Sequence, residues 1–185
     1  GVRCMHQLLA KPDGDLVTGA EAALMTITPA ELHTHYRLPC SPGGTVVQGI
    51  CPQPASYGPR TVAITADGNY TTGIDQLEAD VREAAQYYGL PACTRANGCL
   101  TFINSTGGSQ LPGPHSEESG WDMEMAMDIQ AVHATCQTCK IVVIVADPNS
   151  NDLIGAADYA AKQPNFAASS NSWGILAEDP LAEYE

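Results

Sequence analysis

Two carboxylic acids lie one helical turn apart in the segment Gly120-Trp-Asp-Met-Glu-Met-Ala-Met-Asp-Ile-Gln. On a helical projection, Glu124 and Asp128 fall inside the apolar arc of the helix, between Trp121 and Ala131. Two like charges at this spacing repel each other, and burial raises the cost unless the pair shares a proton or gains hydrogen bonds. Stability therefore does not favour this arrangement, whereas a general base that works below neutral pH requires such a coupled pair.

Two alternatives for this helix involve no catalysis. In the first, the helix is rotated so that both acids face solvent. In the second, each acid is paired with a lysine or an arginine. The chain has only 8 Lys and Arg against 21 Asp and Glu, which makes the second arrangement hard to satisfy. On the same projection, the opposite, polar side of the helix carries Asp122, Gln130 and His133.

The composition is that of one folded domain with a strongly acidic surface. The chain has 185 residues, of which 44% are hydrophobic and 16% are charged, and its formal net charge is −13. A surface this negative repels phosphate backbones and anionic lipids, so we expect neither nucleic acid nor a membrane as a partner. The longest apolar run, residues 141–146, has the length of a strand, far below the ~20 residues that span a bilayer.

Six of the seven cysteines form three pairs that are close in the sequence: Cys40 with Cys51, Cys93 with Cys99, and Cys136 with Cys139. These pairs predict three local disulfides and an oxidising compartment, and hence a secreted protein whose Gly1 is a processed end. A zinc site built from two converging pairs and a redox-active Cys-x-x-Cys motif are the alternatives. Cys4 is left over, either free or paired with a group outside this chain.

From Thr61 onward, apolar segments of strand length alternate with segments of helical periodicity. The pattern predicts strands at 61–66, 100–103, 140–146 and 167–172, and helices at 74–88, 118–134 and 151–162. Ser150 or Asn151 is the expected cap of the last helix, with Asp152 in its first turn. Such alternation predicts an α/β fold: a mostly parallel sheet with right-handed crossovers and helices on both faces.

The pattern also divides the chain into two parts. Residues 1–60 are rich in proline and predict an extended N-terminal arm with one helix, at 29–36, capped by Thr28. Residues 61–185 form the α/β domain, whose sheet ends shortly after its fourth strand. We therefore expect the sheet to be incomplete in this chain.

The acid-bearing helix, with Glu124-x-x-x-Asp128-Ile-Gln after Gly-Trp, resembles the catalytic helix of sedolisin-type serine-carboxyl peptidases. The resemblance extends over nearly the whole chain and follows the family's order. It includes Thr28-Pro-Ala-Glu-Leu, Thr61-Val-Ala-Ile, Tyr88-Gly-Leu-Pro-Ala-Cys, Cys136-Gln-Thr-Cys-Lys-Ile and Ser170-Asn-Ser-Trp-Gly. It implies a subtilisin-like fold, of which this chain would be the N-terminal half of the mature catalytic domain.

The resemblance also implies roles for individual residues. Glu124 would be the general base that takes a proton from serine, and Asp128 would orient Glu124 and share its proton. Ser172, Trp173 and Gly174 would pair, strand to strand, with a bound peptide or protein substrate. The resemblance thus implies the N-terminal part of a secreted, acid-acting peptidase that hydrolyses peptide bonds.

The family's serine nucleophile lies in a Gly-Thr-Ser motif, which is absent from these residues. A companion segment would have to supply this serine, and the family's calcium site would also lie there, so we expect no cofactor in this chain. Without the serine the chain alone should be inactive. The alternative function is a non-catalytic secreted binding or assembly module that retains the peptidase fold.

The histidines show no metal-ligand spacing, so the sequence predicts no metal site. We expect all five on the surface: His6, His33, His35, His115 and His133.

Overall fold

A computed structural model describes residues 27–40, 44–58, 60–115, 120–149 and 152–173. The sequence predictions for Cys4, His6 and Gly174 lie outside the described residues. Each helix and strand predicted from the sequence is present, with ends that shift by a few residues. The elements are α1 (Pro29–Tyr36), β1 (Thr61–Asp67), α2 (Ile74–Tyr88), β2 (Leu100–Asn104), α3 (Trp121–Thr135), β3 (Lys140–Ala146), α4 (Leu153–Ala160) and β4 (Phe166–Ser170).

The predicted cap of α1 is confirmed. The Thr28 hydroxyl accepts a hydrogen bond from the Glu31 backbone N–H at 3.2 Å, and the Glu31 carboxylate accepts one from the Thr28 N–H at 2.8 Å. This reciprocal pair satisfies two donors that an uncapped helix would leave open, and Pro29 needs no donor at the first position.

The predicted cap of α4 is wrong. Asp152 occupies the N-cap position, and Ser150 and Asn151 lie outside the described residues. The Asp152 carboxylate makes no capping hydrogen bond, because it accepts one from the Ser105 hydroxyl instead. A hydrogen bond from the residue that follows β2 thus occupies the carboxylate that a local sequence pattern would assign to capping α4.

The four strands form one parallel sheet in the order β2-β3-β1-β4. This confirms the α/β prediction. β3 lies between β1 and β2, with Lys140 beside Thr61 and Ile141 beside Leu100. From Ile141 to Ala146 every β3 residue is buried, as its continuous apolar run predicts for a strand covered on both faces.

The two faces of the sheet are covered by different helices. One apolar cluster joins Ile64 and Val143 to Leu77 and Val81 of α2 and to Met125 and Ile129 of α3. The other joins Ala63 and Ile144 to Ala156 and Ala160 of α4. Alternate residues of β1 and β3 therefore point to opposite layers, with α2 and α3 on one side and α4 on the other.

The connection through α3 differs in hand from the other two. α2 and α3 share one face, but α2 leads from β1 out to β2, whereas α3 leads back from β2 to β3. α4 leads from β3 to β4, in the same direction along the sheet as α3 but on the opposite face. Because the hand of a crossover depends on both direction and face, the crossovers through α4 and α2 have the same hand. Since crossovers between parallel strands are right-handed in nearly all cases, the α3 crossover is the left-handed one. The prediction of uniformly right-handed crossovers is wrong at the helix that carries Glu124 and Asp128.

The prediction of surface histidines is wrong for His33 and His133, each of which is 1% exposed. Gln130, expected on the polar side of α3, is buried as well. The reason is that α1 and α2 both pack against α3, on the side that carries Gln130 and His133. His35 is exposed, and His115 is partly buried.

The structure brings the three predicted cysteine pairs to disulfide distance. Their Cα atoms are 5.6 Å apart for Cys40–Cys51, 5.0 Å for Cys93–Cys99 and 5.4 Å for Cys136–Cys139, within the usual range. The last two pairs lie next to each other, because Cys99 directly precedes β2 and Cys139 directly precedes β3. Disulfides of this kind are typical of proteins from oxidising compartments. Among the described helices, none has the length and apolar character that crossing a membrane requires.

β4 is the least covered strand. Within the described part of the chain it pairs with β1 alone, and four of its five side chains are exposed. They include Phe166, 38% of which is exposed. The described residues therefore leave one edge and much of the surface of β4 uncovered.

The loop before α3 packs tightly on the end of β1, which gives a test of this contact. Gly68 and Gly98 both have a φ of 77°, so replacing either by alanine introduces similar backbone strain. A Cβ on Gly68 would lie 2.6 Å from the His115 backbone nitrogen, whereas one on Gly98 would have no neighbour within 4 Å. We expect Gly68→Ala to lower the free energy of unfolding by about 1–3 kcal/mol more than Gly98→Ala does. Urea denaturation measures both, and equal losses would contradict the packing described.

Candidate active site

Asp128 and Ser172 meet where β4 ends beside α3. Parallel pairing sets Ser170 level with Ile64 of β1, so both side chains point towards the layer of α2 and α3. Ser172 lies two residues further on and points the same way. Its hydroxyl donates a hydrogen bond of 2.8 Å to Oδ1 of Asp128. The register of β4 on β1 therefore decides which side chain reaches α3.

Asp128 is the buried member of the acid pair. It is 7% exposed, and Glu124, one turn earlier, is partly buried. Burial raises the pKa of Asp128, the hydrogen bond from Ser172 opposes this, and the nearby Glu124 carboxylate adds to the increase. In the described part of the chain, neither acid forms an ion pair with a lysine or an arginine.

The residues on either side of Ser172 are fixed on the opposite face of β1. The Thr65 hydroxyl accepts a hydrogen bond of 2.7 Å from Nε1 of Trp173 and donates one of 2.7 Å to Oδ1 of Asn171. Thr65 is 1% exposed and lies on the α4 side of the sheet, two residues from Ala63. The segment 171–173 is thus held from both sides of the sheet, by Asp128 on one and Thr65 on the other.

Of the five residues assigned to the site from the sequence, the structure brings Asp128 and Ser172 together, with Glu124 one turn away on α3. Trp173 follows Ser172 but bonds to Thr65 on the other face of the sheet. Gly174 lies outside the described residues. Sequence reasoning missed Thr65 and Asn171. A hydroxyl in the middle of the apolar run Val62-Ala-Ile-Thr-Ala is the signal that could have drawn attention to Thr65.

A second polar pair lies at the exit of β1. Nε2 of His115 is 3.2 Å from Oδ2 of Asp67, and the His115 ring is 6.2 Å from the ring of Trp121 at the start of α3. Burial raises the pKa of Asp67, and the charge and hydrogen bond of His115 oppose this increase. The first turn of α3 is also tied to the segment after β1, because Asp122 accepts a hydrogen bond of 2.8 Å from the Thr71 N–H.

The described residues contain a cavity of about 490 Å3 at the other end of the sheet, near the starts of β1 and β3. Lys140 is the one charged side chain among its described lining residues, which otherwise include Tyr57, Gln163 and Asn165. The described lining of this cavity contains no pair of groups suited to proton transfer, so the acid pair of α3 is the better candidate site.

No group of three or more His, Cys, Asp or Glu side chains that could hold a metal ion occurs among the described residues. Comparisons with models of protein families, with curated proteins and with solved structures found no match. The candidate site is therefore defined by its own geometry and by the sequence resemblance.

Thr65 offers a test of how the segment after β4 is held. Thr65→Val keeps the shape of the side chain but removes the partner of the Trp173 indole N–H and of Asn171. We expect the free energy of unfolding to fall by about 1–3 kcal/mol, since a buried polar group is left without a partner. Thr101→Val on β2 is the control, because its hydroxyl bonds to no described residue. Equal effects of the two variants in urea denaturation would contradict the role given to Thr65.

The raised pKa of Asp128 predicts a pH-dependent stability. The folded state binds this proton more tightly than the unfolded state does, so the stability from the protonated form is lost as the pH rises above the ordinary aspartate range. We expect Asp128→Asn to be more stable than the native chain at pH 7, with the difference vanishing as the pH falls below about 4. The exposed Asp158 supplies a control, Asp158→Asn, that should show no such trend. A destabilised Asp128→Asn at pH 7 would contradict this account.

Proposed function

We propose that this chain is the acid–base part of a secreted, acid-acting serine-carboxyl peptidase of the sedolisin type. The serine nucleophile is supplied by a segment outside these 185 residues. The observation that carries the proposal is the contact between a buried carboxyl on α3 and the segment that follows β4. It joins Asp128 to Ser172, which the sequence resemblance assigns to substrate binding together with Trp173 and Gly174.

In this mechanism Glu124 is the general base. Its carboxylate takes the proton of the serine hydroxyl while the hydroxyl oxygen attacks the carbonyl carbon of the substrate, and then delivers this proton to the leaving amine. A water molecule repeats the same transfer to release the acyl group. Only the proton passes through Glu124, which returns to its carboxylate form after each half-reaction.

Asp128 is the partner that orients Glu124. Its raised pKa keeps the proton on Asp128 at a higher pH than on an ordinary aspartic acid. Since Oδ1 already accepts the hydrogen bond from Ser172, Oδ2 is the atom left to carry that proton and donate it towards Glu124. The protonated form predominates at acidic pH, which agrees with an enzyme that works in an acidic environment.

Two further features support the proposal. Among the described residues, none pairs with the outer edge of β4 and most of its side chains are exposed, and a companion segment that continued the sheet would cover both. The small side chains Ala168 and Ser170 point to the α3 side and leave room for close approach. The three disulfides support secretion.

The test of the acid pair uses the native protein together with any polypeptide that copurifies with it. We expect hydrolysis of peptides at acidic pH, and Glu124→Gln should reduce kcat by on the order of 10³-fold, because the amide cannot take a proton. Glu83→Gln, at an exposed position of α2, is the matched control and should leave the rate unchanged. Full activity of Glu124→Gln would overturn the proposal.

The intact mass of native material, with and without reductant, tests the companion. A second polypeptide carrying Gly-Thr-Ser supports a working peptidase. A single 19.5 kDa species would favour the second candidate function, a secreted binding or assembly module. The observation that favours this second function is the same open edge of β4, which suits the addition of a strand from a neighbouring protein.

A further inference from the structure

The side of α3 that faces α1 and α2 buries two imidazoles. Nε2 of His33, on α1, donates a hydrogen bond of 3.1 Å to the Ala134 carbonyl near the end of α3. His133 lies one residue earlier on α3, and both rings are 1% exposed. Nδ1 of His33, Nε2 of His133 and Nε2 of Gln130 have no hydrogen-bond partner in the described part of the chain. These atoms make the contact between α1, α2 and α3 unusually polar for a buried surface.

The described residues around His133 offer no counter-ion for a second proton. His133 and Gln130 line a cavity of about 10 Å3, room for a single water. Its other ionisable lining residue is Tyr88 of α2, and the remainder are apolar: Pro29, Val81, Ala84, Ala85, Leu90 and Ala134. On α1, Glu31 and Arg37 are exposed, and the Glu31 carboxylate is engaged by Thr28. Burial lowers the pKa of both imidazoles, that of His133 to about 4.

We propose that His33 and His133 make the contact of α1 with α3 an acid-sensitive clasp, closed while both imidazoles are neutral and open when they are protonated. Opening exposes both rings to water, which solvates the charge that the closed contact leaves without a partner. The clasp lies on the back of the helix that carries Glu124 and Asp128, but it operates whether or not those acids are catalytic.

The structure confines this opening to α1. Within its eight residues, Pro29 and His33 are the buried side chains, so α1 is weakly held. The segment that follows is fixed by the Cys40–Cys51 disulfide and by Gln137, which hydrogen-bonds to the Cys51 N–H at 2.7 Å and to the Gly49 carbonyl at 3.0 Å. Lifting α1 therefore does not require residues beyond Cys40 to move.

Proton binding by the two imidazoles shifts the clasp towards its open state as the pH falls. The open state binds protons more tightly than the closed state, because its imidazoles titrate near the ordinary value of 6.5. Lowering the pH from 6.5 towards 4 therefore shifts the equilibrium towards the open state, by up to tenfold per pH unit for His133. Below about pH 4 the closed state is protonated as well, and the shift ends.

Hydrogen exchange of the full chain, corrected for intrinsic rates, tests the clasp between pH 7 and pH 4. We expect protection to fall over this range for the amide of Leu32 in α1 and for that of Leu38, which bonds to the His33 carbonyl, while that of β3 amides persists. The double variant His33→Gln, His133→Gln should lose this dependence. His35→Gln, an exposed position on the same helix, should keep it. Protection of α1 that does not change with pH, or that falls in parallel with β3, would overturn the proposal.

A second measurement needs no variant. Nuclear magnetic resonance titration of the histidine Cε1 protons in the native chain should show that the pKa values of His33 and His133 lie below the ordinary value of 6.5. Ordinary pKa values for both His33 and His133 in a chain whose α1 amides are still protected would refute the clasp, even if the double variant failed to fold.

Discussion

The packing of α3 against the sheet and against two other helices constrains the rest of the structure. Ile64 and Val143 of the sheet pack on one side of α3, and α1 and α2 pack against it on another. Because α3 is enclosed in this way, water can solvate charged groups over little of its surface, so its polar groups must find partners within the protein. Asp128 receives the Ser172 hydroxyl, Asp122 receives the Thr71 N–H, and the carbonyl of Ala134 receives His33.

The same enclosure explains why the acid pair is more than a surface feature. An aspartate with a raised pKa weakens the folded state at neutral pH, and a helix chosen for stability alone would carry an apolar residue there. The left-handed crossover is a second departure from the usual preference, at the same helix. Departures of this kind collect at functional sites, which favours the catalytic interpretation of α3 over a purely structural one.

The elements that local patterns govern could be predicted from the sequence. The continuous apolar run of β3, the capping residues of α1 and the short spacing of the cysteine pairs each depend on neighbours in the chain. The prediction failed for features that tertiary contacts decide. His133 and Gln130 read as polar surface because the packing of α1 and α2 on α3 leaves no periodic signal, and Asp152 is diverted from capping by Ser105 of a distant loop. At the site, Asp128 and Ser172 could be identified from the sequence. The hydrogen bonds of Thr65 could not, because they depend on the register between β1 and β4.

The place of β3 between β1 and β2 has a consequence for synthesis. Among the described strands, β1 and β2 have no hydrogen-bonded neighbour until β3 has been made, because these two strands do not touch each other. β1 ends at Asp67 and β3 begins at Lys140, which at ordinary translation rates is a delay on the order of ten seconds. During this time the nascent chain carries two apolar strands with unpaired backbone. The sheet is therefore a late product of translation, and the growing polypeptide is most exposed to aggregation just before its central strand emerges.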